Sequence, residues 1–237
     1  MSLRDGTPYS GMLIAICGLD GSGKTTQANL LAEQLRVNGP VSVLRPNTDE
    51  FRYDQPITDY MEGHLPPDQM YDMVIEMPLM AAANLFRQMR TTIMPRLRAG
   101  EIVICDRYVY TVYARARARG LRDQEWLSQL NRYLPEPDLT LYMDVRPEVA
   151  LQRVLARDKV PKWEELDLDR IAAVRSALLE QPWGPRDSYQ IIDAERPVVE
   201  IAADVRRAVA AMGIIASDPE AAVVEVGRTE GATQGRR

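Results

Sequence analysis

Residues Gly18-Leu19-Asp20-Gly21-Ser22-Gly23-Lys24-Thr25 fit the pattern G-x-x-x-x-G-K-[ST]. Nothing else in the chain constrains its fold as strongly. An apolar run from Met12 to Cys17 leads in and predicts a buried strand. A helical pattern leads out, with Ala28, Leu31, Ala32 and Leu35 recurring at i, i+3, i+4 and i+7. Between strand and helix, the glycines let backbone N–H groups point into one concavity, and the helix N-terminus adds its partial positive charge. This is a nucleoside-triphosphate loop. Gly18, Asp20, Gly21, Ser22, Gly23, Lys24, Thr25 and Thr26 would cradle the phosphates of ATP. Lys24 would reach the β- and γ-phosphates, and the Thr25 hydroxyl would meet Mg²⁺.

The rest of the chain alternates strand and helix patterns. Val41 to Leu44 is a second strand, followed by a loop rich in Pro and Asp. A helix from about Asp68 to Ala99, interrupted near Pro78, has an apolar stripe of Leu79, Ala82, Ala83, Phe86, Met89, Ile93 and Leu97, and Gly100 stops it. Ile102 to Cys105 is a third strand running into Asp106, and Tyr110 to Leu134 is helical with a break near Gly120. Leu139 to Met143 is a fourth strand running into Asp144, and Pro147 suits the first turn of the next helix. A helix from about Leu166 to Glu180, a fifth strand from Tyr189 to Ile192 and a helix containing Ile201, Val205, Ala208, Val209 and Met212 complete the pattern. Such alternation predicts an α/β fold: a five-stranded parallel sheet covered by helices on both faces, with ligands gathered at the carboxyl ends of the strands. Gly18, Asp106 and Asp144 all fall there. One domain over residues 11–215 is expected, preceded by a polar extension, 1–10, and followed by a tail, 216–237, whose Gly, Glu, Thr and Arg predict disorder.

Composition excludes several function classes. A net charge of −5 argues against general nucleic-acid binding. The longest apolar runs are strand-length and no signal peptide is visible, so no membrane association and a cytoplasmic location are expected. Cys17 and Cys105 lie in apolar strand-like runs and read as buried free thiols. His64 stands alone in a polar loop without a catalytic partner.

Two further groups bear on chemistry. Asp106, straight after the third strand, is placed to orient the waters of Mg²⁺, and Arg107 beside it offers a bidentate fork for a second phosphate, on an acceptor. Arg153, Arg157, Lys159 and Lys162 cluster around a polar loop that reads as a lid over residues 153–163, with Arg153 and Arg157 as candidate catalytic groups alongside Lys24 and Arg107. No catalytic base is needed if the acceptor is itself a phosphate, whose second pKa near ~6 leaves an oxygen already ionised at neutral pH.

The blocks Gly18 to Gln27, Pro95 to Gly100, Val103 to Tyr108, Pro137 to Val145 with Pro147 to Leu151, and Ile192-Asp193-Ala194 resemble those of thymidylate kinases, P-loop nucleoside monophosphate kinases. The resemblance covers about residues 11 to 212. It implies ATP-dependent transfer to dTMP or a related nucleotide, with ATP and Mg²⁺ as cofactors, a nucleoside monophosphate as acceptor and a homodimer as the assembly. It places Asp20 at the acceptor sugar, Arg107 on the acceptor phosphate and Arg45 near that phosphate.

The acceptor side departs from the family pattern. The phenylalanine that stacks on thymine and the arginine four residues later align with Ala81 and Leu85. The base-reading polar residue aligns with Val112, the tyrosine near the sugar 2′ position with Arg115, and the following glutamine with Ala116. Phe86 and Arg90 repeat the i, i+4 pair five residues on, at the wrong distance from Asp106. The loop has Gly21-Ser22 where some members place a catalytic arginine, and the lid lacks the middle arginine of Arg-x-Arg-x-Arg. A nucleotide-binding regulatory protein without transferase activity is the alternative, against which stand Arg107, the basic lid and the absence of an Asn-Lys-x-Asp guanine signature.

Overall fold

The computed structural model describes residues 9–46, 54–70, 72–123, 125–180 and 188–213. The strands are β1 (Met12–Gly18), β2 (Val41–Leu44), β3 (Ile102–Asp106), β4 (Leu139–Asp144) and β5 (Tyr189–Asp193). They form one parallel sheet in the order β2-β3-β1-β4-β5. Around it run α1 (Lys24–Leu35), α2 (Gln55–Glu62), α3 (Pro67–Met70), α4 (Asp72–Gln88), α5 (Met94–Arg98), α6 (Val109–Ala118), α7 (Glu125–Asn131), α8 (Pro147–Leu155), α9 (Leu168–Glu180) and α10 (Val198–Ala210). The expected fold class stands.

The period-two alternation of β1 divides the core. Leu13, Ala15 and Cys17 face the cluster packed by α4, α6 and α7, while Ile14 and Ile16 face the one packed by α1 and α10. Both faces being covered explains why the central strands β1, β3 and β4 read as continuous apolar runs. The four α1 residues singled out from the sequence are all buried, and both cysteines are buried free thiols. Tyr9 is buried against the α4 side.

Two expectations are corrected. The Pro- and Asp-rich loop contains α2, capped by Asp54, whose carboxylate accepts from Ile57 N, and ended by Gly63 in the left-handed region. Ile57, Tyr60 and Met61 face a third, smaller core with Met73 and Met77, away from the sheet. The second correction concerns the long helix. Pro78 does not break it, since α4 runs through that residue, and a π-turn at Met89–Ile93 joins α4 to α5. The buried row is Met73, Met77, Ala81, Leu85, Met89, Ile93 and Leu97, while Leu79 and Ala83 are exposed. A row at intervals of four drifts ~40° per step around a helix of 3.6 residues per turn. The wider π-turn takes back part of that drift, and the row meets the small core first and the sheet afterwards.

Candidate active site

The carboxyl ends of β1, β3 and β2 converge on a cleft of about 1120 Å³. Its floor is the glycine-rich loop. Gly21 has φ 88°, and a Cβ there would lie 2.4 Å from the Ala150 carbonyl oxygen, so only glycine fits between the loop and α8. Gly23 caps α1 at φ 85° with no side-chain bond to the first turn. The first N–H groups of α1 are thus without a side-chain acceptor, which is the arrangement that binds phosphate.

Lys24 is only 5% exposed. Its ammonium donates to the Leu19 carbonyl and, at 3.4 Å, to Ser22 Oγ. Burial, then the neighbouring Arg107, pushes its pKa down to about 7, against the pull of Asp20 and Asp106. An arriving phosphate would supply the counter-charge this lysine lacks.

Beside it, Asp106 is buried at the end of β3. Its Oδ2 accepts from the Thr25 hydroxyl at 2.6 Å and from Arg45 Nε at 2.8 Å, and Arg45 Nη2 also reaches Thr25 Oγ1. Asp106 Oδ1 is buried with no partner among the described residues. Arg107 is held at φ 85°, the one non-glycine residue with positive φ among those described, while its N–H donates to Ile16 O at 2.9 Å. Such a backbone is uncommon for a residue with a Cβ. It aims the guanidinium back over the loop, onto Asp20. Arg115, from α6, takes the other oxygen of the same carboxylate. Burial alone would raise the Asp20 pKa, but Arg107, Arg115 and Lys24 outweigh it and hold the carboxyl well below the usual range. Arg107 Nη1 remains buried without a partner among the described residues.

The far wall is apolar. Met77, Pro78 and Ala81 of α4, with Val112 of α6, line it, and α2 adds Thr58, Met61 and Glu62, followed by His64. The segment expected to act as a lid supplies Arg157, Lys159, Val160, Pro161, Lys162 and Trp163. Ala81 and Val112 therefore meet the cleft as aligned, and Arg115 and Arg45 do too. Leu85 does not. At 1% exposed it packs against the sheet one turn further along α4, where the helix has left the cleft. Phe86 is half-buried and Arg90 exposed, and neither lines the cleft. Arg153 also lies outside the cleft lining. Its guanidinium donates to Ala194 O at 2.8 Å and to Gly21 O at 3.5 Å, tying the loop to the chain after β5.

One cluster went unnoticed in the sequence. Glu164 accepts from Arg119 at 2.8 and 2.7 Å, from Arg170 at 3.0 Å and from the Tyr60 hydroxyl at 2.6 Å. Trp163 donates to Tyr60 O at 2.5 Å, and Arg170 stacks 4.5 Å above its ring. The end of the lid is thereby fastened to α2. The signal available was the apolar spacing of Ile57, Tyr60 and Met61 between an Asp cap and a Gly stop.

A parallel sheet with a phosphate loop at its central strand, a paired acid at the next strand end and a basic segment across the cleft defines a P-loop phosphotransferase. The sequence model for thymidylate kinase matches residues 16–205. The chain belongs to the thymidylate kinase family. A thymidylate kinase of Ruegeria pomeroyi is 34% identical over 200-odd aligned positions (208 residues), covering 83% of this chain and 93% of the relative. That of Pseudomonas savastanoi pv. phaseolicola is 30% identical over 200 residues, covering 83% and 93%. The solved structure of Candida albicans thymidylate kinase, described as revealing the origin of that enzyme's broad substrate specificity, superposes with a TM-score of 0.68 over 88% of this chain and 95% of its own, at 23% identity. Thymidylate kinases are nucleoside monophosphate kinases, for which ATP is the phosphate donor. Among the described residues no helix is long and apolar enough to cross a membrane.

Proposed function

We propose that the protein transfers the γ-phosphoryl group of ATP to nucleoside monophosphates, with dTMP as one acceptor among several. The observation that supports this best is a pair of buried atoms at adjacent positions on the β3 end, Asp106 Oδ1 and Arg107 Nη1, unpartnered among the described residues. One awaits a cation or its water, the other an anion. Lys24 and the loop N–H groups hold the donor phosphates. Arg107 grips the acceptor phosphate, Asp20 meets the acceptor sugar, and Arg157 of the lid closes over the transferring group. The residues Thr25 and Asp106 fit Mg²⁺, being hard oxygen donors at the phosphate loop. Among the described residues no cluster of three acidic, His or Cys ligands exists, so the ion would rest largely on phosphate and water oxygens. When bound it would neutralise charge on the β- and γ-phosphates.

An apolar wall of Ala81, Val112 and Met77 discriminates bases weakly. Apolar contacts give ~10–200-fold selectivity, against ~10⁴–10⁵ where a pocket hydrogen-bonds its substrate. Residues 11–215 act as the kinase domain, in the cytoplasm. The exposed row Ile75, Leu79 and Ala83 on α4 offers an apolar face for a homodimer. The comparisons lend no support to a regulatory protein without transferase activity. ADP release measured with each ribo- and deoxynucleoside monophosphate tests the reading. Steady ADP production with several acceptors is expected. Production with none would overturn transfer, and a preference for dTMP over every non-uracil base above about a thousandfold would overturn the multi-acceptor part.

A further inference from the structure

We propose that Arg45 alternates between two anchorages and so couples donor binding to acceptor binding; this rests on the transfer reading above. In the free protein its guanidinium sits on the two oxygens that would serve a divalent cation. Arg45 Nε donates to Asp106 Oδ2 at 2.8 Å, and Nη2 donates to Thr25 Oγ1. The Thr25 hydroxyl hydrogen is committed to Asp106 Oδ2 at 2.6 Å, so the arginine uses one of the lone pairs this oxygen could offer a metal. A small hard cation needs its oxygen ligands at ~2.0–2.1 Å, and a guanidinium hydrogen-bonded to the same oxygen both crowds and repels it. The two cations compete for one place.

Exposure decides which partner can leave. The Arg45 side chain is 46% exposed and that of Asp106 3%. Arg45 directly follows β2, whose Leu44 is in register with Cys105 of β3, so Arg45 and the Asp106–Arg107 pair stand on neighbouring strand ends. A displaced Arg45 stays beside Arg107, whose Nη1 is buried and unpartnered among the described residues. The two guanidiniums then face one acceptor phosphate. Donor binding with its metal thus completes the acceptor site, and acceptor binding favours the metal by the same factor.

Calorimetry on the full chain tests this without turnover. dTMP is titrated with and without Mg²⁺ plus a non-hydrolysable ATP analogue, in the wild type, Arg45→Leu and Arg45→Lys. The wild type should bind dTMP about tenfold tighter when the Mg²⁺–analogue pair is present. Arg45→Leu should abolish that gain and bind the Mg²⁺–analogue pair severalfold more tightly, because the competitor is gone. Arg45→Lys should keep part of the gain. Three results would overturn the proposal: no gain in the wild type, an undiminished gain in Arg45→Leu, or weaker Mg²⁺–analogue binding in that variant. Failure of dTMP to bind the wild type at all also counts against it, whereas ADP formation with any other nucleoside monophosphate would leave the transfer reading standing.

Discussion

The two sides of the cleft are built differently. The phosphate side stands on the central strands, whose residues are almost wholly excluded from solvent, and its charges come from strand ends and the loop, with Arg115 of α6 added. The side proposed for the acceptor stands on α2 and the first half of α4, joined over a small core that includes Met61, Met73 and Met77. Methionine is flexible and fills irregular space. A transferring phosphoryl group needs one fixed geometry, and the sheet supplies it. On the reading proposed above, a base need only be enclosed, and a softer wall would admit more than one. Rigidity is spent where charge moves.

If that contrast is right, the largest effect belongs to the phosphate side. Lys24→Ala should lower kcat by about a thousandfold, as loss of one preorganised donor to a developing charge does. Turnover close to the wild type would remove the loop from the chemistry. Arg107→Ala should weaken acceptor binding by about a hundredfold while ATP binding changes less than threefold, measured by calorimetry with each ligand alone. Lost ATP affinity with the acceptor unaffected would move Arg107 to the other side of the reaction.

The fastening between lid and α2 is the next test. Arg119, then Arg115 and the Tyr60 hydroxyl, outweigh burial and bring the Glu164 pKa from 4.5 to about 2. A carboxyl whose folded pKa is lowered contributes stability that is fully present above its unfolded pKa and is lost as pH falls through the folded one. Glu164→Gln should therefore cost about 2 kcal/mol at pH 7 in denaturant unfolding, leaving the buried Arg119 side chain and the partly buried Arg170 underpaired. The difference from wild type should shrink between about pH 5 and pH 2. Amide exchange should quicken in α2 and the lid and stay slow in the sheet, and equal quickening in both would erase the contrast drawn here. Smallest of all, Met77→Leu conserves volume and should alter acceptor ratios by less than about tenfold, with kcat for the best acceptor unchanged.

The same contrast governs what could be read from the chain. The central strands β1, β3 and β4, buried on both faces, announce themselves as apolar runs. The part-exposed edge strands β2 and β5 were legible from short stretches of β-branched and aromatic residues, and the loop between β1 and α1 was legible too. Asp106 and Arg107 followed from their place after β3. α2 was obscured because its Pro and Asp residues look like loop chemistry until they are read as a cap and a first turn. Ala82, Met89, Ile93 and Leu97 of the expected stripe are buried, but Leu79 and Ala83 were misplaced, because the buried row of the first half of the helix keeps an interval of four that the π-turn and a change of packing partner accommodate. Leu85 and Arg153 show a further limit. Alignment gives a residue its position along a helix, but the departure of that helix from the cleft, or a carbonyl within reach of a guanidinium, is a fact of tertiary structure.

Arg107 sits at φ 85° with its amide already bonded to β1. A glycine there would relax the backbone by about 1 kcal/mol relative to alanine. The same replacement would take from the largely buried Asp20 one of its two arginine partners, a loss of about 3–5 kcal/mol that outweighs the relief. The strain at this residue is held in place by the ion pair it makes possible, and glycine there would raise stability only in a chain that had already lost Asp20.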